Sequence, residues 1–297
     1  MMIDILSWFS KCLTIAKRLP GIKPVTYILS PVLLGLSISS ASLAYENPFL
    51  SRGKNTPDNQ LGAFSQNNTG DCFFLASLIA IAQDADGQAL IESSFHTPKN
   101  SHPWQIYFPN WPDQAIEITA QDINEYQLTH TDGQGLSAPV KGDPDVRILE
   151  IAADKWWKNS IKPEGLWDDI PMNAVFMFSG AEQLLLWNRT KASIETSADI
   201  DKYQRLPEGI IQEINLSSSA HAAKVLQEIL STDTDGISMI LIDYINYHAV
   251  AMINIDFKLN TYSYIDTNLI THPNQNLQTL LQRLANGQYA INYLEIK

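Results

Sequence analysis

The stretch Gln66-Asn67-Asn68-Thr69-Gly70-Asp71-Cys72-Phe73-Phe74-Leu75-Ala76-Ser77-Leu78 decides how the chain is read. A polar loop containing a glycine runs into a cysteine, and an unbroken apolar run follows from Phe73 to Ala82. The spacing predicts a helix with apolar residues on every face, which must be buried between other layers. Cys72 then stands on its first turn. The unpaired N–H groups and the positive end of the helix dipole favour an anion there, so the thiolate is favoured. Gln66, six residues upstream, offers a side-chain amide. The stretch reads as a nucleophile with its oxyanion donor. The rest of the chain must supply a base.

With 297 residues, 45% of them hydrophobic and 18% charged, the chain can bury a full core as a large or two-lobed globular protein. Its formal net charge of −12 argues against a nucleic-acid groove or an anionic membrane surface as partner. The first 44 residues stand apart. Lys11, Lys17, Arg18 and Lys23 against Asp4 give them +3, which leaves −15 for the remainder. An apolar stretch from Val25 to Ala44, interrupted by Pro31, ends in Ser42-Leu43-Ala44, small residues at both positions a signal peptidase reads. Residues 1–44 therefore read as a secretory signal peptide rather than a membrane anchor. Once it is cleaved, no membrane association is expected. Cleavage also removes Cys12 and leaves Cys72 as the one cysteine. A lone thiol in an oxidising compartment is a liability unless it is used.

Residues 45–60 read as an extended lead-in, 61–190 as a mainly helical lobe with the nucleophile, and 191–297 as a mainly β lobe. In the helical part, short helices are expected around Gln88–Ser93, Asp145–Lys158, Met172–Phe178 and Glu182–Trp187. Trp104–Phe108 and Ala115–Thr119 form a predicted hairpin, and the Gly/Asp/Pro-rich stretch 129–145 a loop. Residues 192–215 read as mixed and exposed. An amphipathic helix over Ser219–Leu230 precedes strands at Ile237–Tyr244, Tyr247–Ile255 and Thr261–Asp266. A helix at Leu277–Ala285 and a strand at Tyr289–Glu295 follow. The class is α+β.

Six histidines are candidates for the base. His96, His102, His130, His221 and His272 fall in polar loops, a turn or an amphipathic helix and read as solvated or structural. His248 opens Tyr247-His248-Ala249-Val250-Ala251-Met252-Ile253, a strand apolar on both faces, where a polar ring needs a reason. A turn near Asp256–Asn260 places His248 opposite residues 266–268, which are Asp266-Thr267-Asn268. Asp266 is then positioned to hold one ring nitrogen while the other faces Cys72, with Asn268 in reserve.

These residues carry a resemblance. Gln66-x-x-x-Gly70-Asp71-Cys72-Phe73-Phe74-Leu75-Ala76 resembles the active-site motif of the calpain-type cysteine peptidases, which have the papain-like fold. Leu149-Glu150-Ile151-Ala152 followed by Ser179-Gly180 is similar to that family's middle segment, and His248-Ala249-Val250 to its histidine strand. The resemblance implies a two-lobed fold, a helical lobe carrying the cysteine and an antiparallel β lobe carrying the histidine. It also implies that Gln66 contributes to the oxyanion hole. Phe73 stands where the family has tryptophan, and Tyr247 where it has glycine. Asp266-Thr267-Asn268 replaces its Asn-Pro-Trp. No stretch resembles the calpain regulatory domains, so calcium dependence does not carry over. Asp233-x-Asp235-Gly236 and Asp84-x-Asp86-Gly87 lack the full EF-hand ligand pattern and read as turns. No cofactor and no metal site is expected.

The expected function is that of an exported cysteine endopeptidase acting on protein or peptide substrates through Cys72, His248, Asp266 and Gln66. A glycan on the Asn67-Asn68-Thr69 acceptor would block the cleft, which fits a bacterial periplasmic or secreted protein. The same residues would support deamidation or acyl transfer at protein glutamines, and the scaffold could also serve as an inactive binding protein.

Overall fold

The cysteine-bearing helix, α1 (Cys72–Ile81), forms where the apolar run predicts it, and every residue from Phe73 to Ile81 is buried. Only Cys72, at its start, is partly exposed. Burying a helix on all sides requires layers on all sides, and the remaining elements supply them. In this computed structural model the described residues are 58–66, 70–83, 85–97, 103–110, 115–129, 140–160, 170–180, 182–193, 206–232 and 238–294. They belong to one unit, Glu46–Lys297. The expected signal peptide, most of the lead-in, His102, His130 and the turn at 233–236 lie outside the described residues.

In chain order, β1 (Phe64–Ser65) precedes α1, and α2 (Ala85–Glu92) follows it. A small hairpin joins β2 (Trp104–Ile106) to β3 (Ile116–Ile118), as the alternating pattern predicts. Then come α3 (Ala120–Thr129), β4 (Lys141–Gly142), α4 (Pro144–Ser160) and α5 (Pro171–Ser179). Phe73 meets Trp157 of α4 at 6.0 Å between ring centroids, and Phe74 meets Phe178 of α5 at 6.1 Å. Helix α4 starts at a proline because Asp143 caps it: Asp143 Oδ1 accepts from the backbone N–H groups of Asp145 (2.9 Å) and Val146 (3.2 Å). Helix α5 ends at Gly180 in the left-handed conformation, φ 57°, where a Cβ would collide with the Asn110 side chain.

The second half builds one seven-stranded sheet from β5 (Gln183–Trp187), β6 (Ile211–Asn215), β7 (Met239–Asp243), β8 (His248–Asp256), β9 (Thr261–Ile265), β10 (Thr271–Asn276) and β11 (Tyr289–Leu294). Their spatial order is β10-β9-β8-β7-β11-β5-β6, antiparallel except for the parallel pair β5–β6. Alternation along the strands sends Ile240, Ala249, Ala251 and Ile265 into the core around α1. Met239, Leu241, Val250 and Met252 go to the opposite core, with residues of α6 (Ser219–Thr232) and α7 (Leu277–Ala285). The protein is thus a mixed α and β structure, with α1 lying between helices and a sheet.

Several differences from the sequence expectation have physical causes; Asp86 and Gly87, expected in a turn, instead open helix α2. Gln183–Trp187 is a strand, not a helix. A five-residue apolar run carries too little periodicity to separate the two, and pairing with both β11 and β6 decides it. The end of the mixed segment, Ile211–Asn215, is the edge strand beside it. His272 lies in β10 rather than in a turn. Pro273 is tolerated there because β10 is an edge strand and its register to β9 shifts between His272 and Gln275. Helix α3 and the short β1–β4 pair carry no strong sequence signal and form by packing.

Several acids are buried beside the helical core. Burial, with help from Asp58, pushes the Asp143 carboxyl up to about 6. Burial, with help from Asp143 and Asp58, pushes Asp145 up to about 7. Folded values above the unfolded ones mean that the folded chain binds these protons more tightly. Their stabilisation is complete below about pH 4 and is lost as pH rises through 6 to 7. The thermal midpoint is therefore expected to rise between about pH 8 and about pH 5.5. Asp145→Asn should shrink that difference. A midpoint that falls steadily on acidification across this range would contradict the assignment.

Candidate active site

Cys72 approaches the residue that precedes His248 because the start of α1 docks on the turn between β7 and β8. The Cys72 Sγ lies 3.9 Å from the carbonyl oxygen of Tyr247, the residue before His248. The turn is fixed by Asp243, whose carboxylate accepts from Ile245 N (2.9 Å), Asn246 N (3.1 Å) and the Asn246 side chain (2.7 Å). It closes with Tyr247 at φ 50°, 71% exposed. His248 then opens β8 opposite Asp243. Its place in the alternation is that of Val250 and Met252, on the face of the sheet opposite α1, so the register does not turn the ring toward Cys72 as the sequence reading expected. Among the described residues no hydrogen bond ends on its ring. Burial holds His248 below its ordinary value, against the opposing pull of the Asp266 and Asp243 carboxylates. Neutral imidazole is thereby favoured.

Asp266 stands where the hairpin argument puts it and has a different partner. The β8–β9 ladder ends at Ala251 opposite Ile265, and continuing that register brings His248 level with Asn268. The Asp266 Oδ1 accepts from the backbone N–H groups of Asn268 (2.9 Å) and Ile270 (3.0 Å). Its Oδ2 lies 3.0 Å from Nε2 of His272, whose ring stacks on Tyr264 at 4.6 Å. The carboxylate expected to hold His248 holds His272, and it reaches His248 through space as a charge. The cause is β10, which lays His272 against Tyr264. Asn268 is engaged as well: its Oδ1 accepts from the Ser65 hydroxyl at 2.7 Å.

Gln66 is clamped at both ends. Its backbone N–H donates to the Thr267 carbonyl at 2.9 Å, and its side-chain carbonyl accepts from the Thr267 hydroxyl. Its amide nitrogen donates to Asp71 Oδ1 at 3.1 Å. The turn after β9 thus grips the loop before the cysteine through Thr267, which is fully buried. Neither Thr267 nor Asp71 stands out as a site residue in the sequence. Glu150, also fully buried and hydrogen-bonded to Asp71, does leave a trace. Val146, Leu149, Glu150, Ala153 and Trp157 form one helical stripe, and a carboxylate within an apolar stripe requires a partner. Among the described residues no group of three or more His, Cys, Asp or Glu side chains is placed to hold a metal ion.

The His248 ring is expected to titrate below its ordinary value near 6.5 when followed by NMR. Asp266→Asn removes a charge that favours the imidazolium and should lower the value further. A rise in Asp266→Asn would mean that Asp266 does not act on His248 as a carboxylate.

Comparison of the chain with models of known protein families and with curated proteins finds no match.

Proposed function

We propose that this protein is a papain-like cysteine peptidase that hydrolyses peptide bonds in protein substrates and is exported after loss of residues 1–44. The observation that carries the reading is the approach of the Cys72 sulfur to Tyr247 at the start of the His248 strand. Three features support it further. Cys72 is the partly exposed end of an otherwise buried helix. Gln66 is held beside it by Asp71 and Thr267. Helices pack on one side of α1 and a largely antiparallel sheet on the other, in keeping with the two-lobed papain-like arrangement and with the calpain-type motifs at Gln66–Ala76 and His248–Val250.

The chemistry is acyl transfer. His248, held neutral by burial, accepts the thiol proton as Cys72 attacks the peptide carbonyl. Catalytic hydrogen bonds of this kind are often open before substrate arrives, and this reading requires the His248 ring to reach the sulfur in the substrate complex. The Gln66 amide and the Cys72 backbone N–H donate to the developing oxyanion, each worth on the order of 3 kcal/mol. The imidazolium then protonates the leaving amine, and water, deprotonated by His248, resolves the thioester. Asp266 stabilises the transient imidazolium by its charge.

Cys72→Ala is expected to abolish cleavage of an unfolded protein substrate while circular dichroism stays unchanged. His248→Ala should lower kcat by about 10³-fold or more, and His272→Ala by less than about 10-fold. The reverse ranking would move the base to His272. Mass spectrometry of the products checks the reaction type: intact chains shifted by about 1 Da would replace hydrolysis of the backbone by deamidation of glutamine. Full activity in Cys72→Ala would exclude both.

A further inference from the structure

Asp71 occupies the N-cap position of α1 and makes no side-chain cap to that helix. Its carboxyl turns instead into the protein, where it is 0% exposed. One oxygen, Oδ1, accepts from the Gln66 amide at 3.1 Å. The other, Oδ2, is buried and receives no N–H or hydroxyl donor. A buried carboxylate oxygen left without a donor is costly, so it calls for one. Beside the Asp71 carboxyl lies that of Glu150, likewise 0% exposed. Both Glu150 oxygens are already approached by the backbone N–H of Val140, at 3.0 and 3.3 Å. Two carboxylates cannot sit together in this way, whereas a carboxyl and a carboxylate can, with one proton between them.

The surroundings favour keeping that proton. From α4, Asp154 is buried and bound to Lys158 at 2.7 Å. From α3, Tyr126 is buried, and its hydroxyl is pushed well up by burial and by the charges of Glu150, Asp154 and Asp71. Arg147 acts on Glu150 through its charge, and its guanidinium donates to the Val140 carbonyl at 2.9 and 3.1 Å rather than to either acid. Burial pushes Asp71 up to about 6 and Glu150 well above the usual carboxylate range. The pair therefore holds its shared proton above the usual carboxylate range.

We infer that Glu150 is a positioning residue for the oxyanion hole: it donates a hydrogen bond to Asp71 Oδ2, and Asp71 through its other oxygen holds the Gln66 amide. The inference rests on the peptidase reading for its kinetic consequence, but the hydrogen-bonded relay exists without it. As pH rises and the shared proton leaves, Oδ2 loses its donor and the two carboxylates repel. The Gln66 amide is then released. Thr267 still holds the carbonyl end of Gln66, so the amide swings rather than the loop unfolding.

The test compares wild type, Glu150→Gln and Glu150→Ala between about pH 5 and pH 9. Glutamine carries an N–H that cannot ionise. Glu150→Gln is expected to keep kcat within about 3-fold at pH 7 and to move the alkaline limb of the kcat profile up by about one pH unit or more. Glu150→Ala is expected to lower kcat by about 10²-fold with KM changed by less than about 3-fold. Alkylation of Cys72 by iodoacetamide uses no oxyanion hole and should proceed at the wild-type rate in both variants. A fall in that rate together with kcat would assign Glu150 a structural role and overturn the inference. The Gln66 side-chain amide resonance reads the same proton without turnover. Above about pH 7, where Asp71 itself is ionised in the variant, it should move with pH in wild type and stay fixed in Glu150→Gln. Equal movement in both proteins, or none in wild type, overturns the inference. An amide that titrates in a protein with no hydrolytic activity would leave the relay standing and remove the peptidase reading.

Discussion

The complete burial of α1 is the constraint on which the rest depends. From Phe73 to Ile81 it offers no side to water, so helices must close one side and a sheet the other. Each large apolar side chain on it contributes roughly 1.5–3 kcal/mol when buried, which makes this helix the principal organiser of the described core. A helix sealed in this way meets solvent only at an end. Cys72 is that end, and its position at the boundary between helices and sheet follows from the packing rather than from any interaction of the thiol itself.

The polar contacts around Cys72 follow the same logic. Closing the sheet over α1 brings the turns after β7 and β9 to its N-terminus. The first presents the Tyr247 carbonyl to Cys72, and the second presents Thr267 to Gln66. The helical side contributes Glu150, carried inward on the apolar stripe of α4. Gln66 is thus fixed from both sides: Thr267 holds its carbonyl and Asp71 its amide. A side chain so constrained has little freedom left to lose when an oxyanion forms, which is the condition for electrostatic preorganisation. Buried acids with raised pKa values cost stability at alkaline pH, and two of them are spent on holding this amide.

Much of the fold was legible in the residues. The apolar run after Cys72, the paired alternations at Trp104–Ile106 and Ile116–Ile118, and the strands flanking Asp256–Asn260 gave elements close to those observed, because each carries a strong period. Gln183–Trp187 and Thr271–Asn276 did not. The first is too short and uniformly apolar to declare itself, and the second contains a proline that only an edge position tolerates. The candidate site divides in the same way. Cys72 before a buried helix, Gln66 upstream and His248 opening an apolar strand could be picked out one at a time, since each breaks a local pattern. The partners could not.

The sequence by itself determined that a thiol would stand at the first turn of a buried helix, and that one histidine would open a buried strand. Local periodicity and burial suffice for both. Only the tertiary structure decided which groups those residues meet. Asp266 lies in the segment the hairpin argument names, yet it bonds His272, because an unforeseen edge strand lays a ring against it. Asp71 lies against Glu150, 79 positions away in the chain, because both are driven into one core by their apolar neighbours. Pairings between polar groups that distant are set by how layers stack, and layer stacking has no period that a sequence can display.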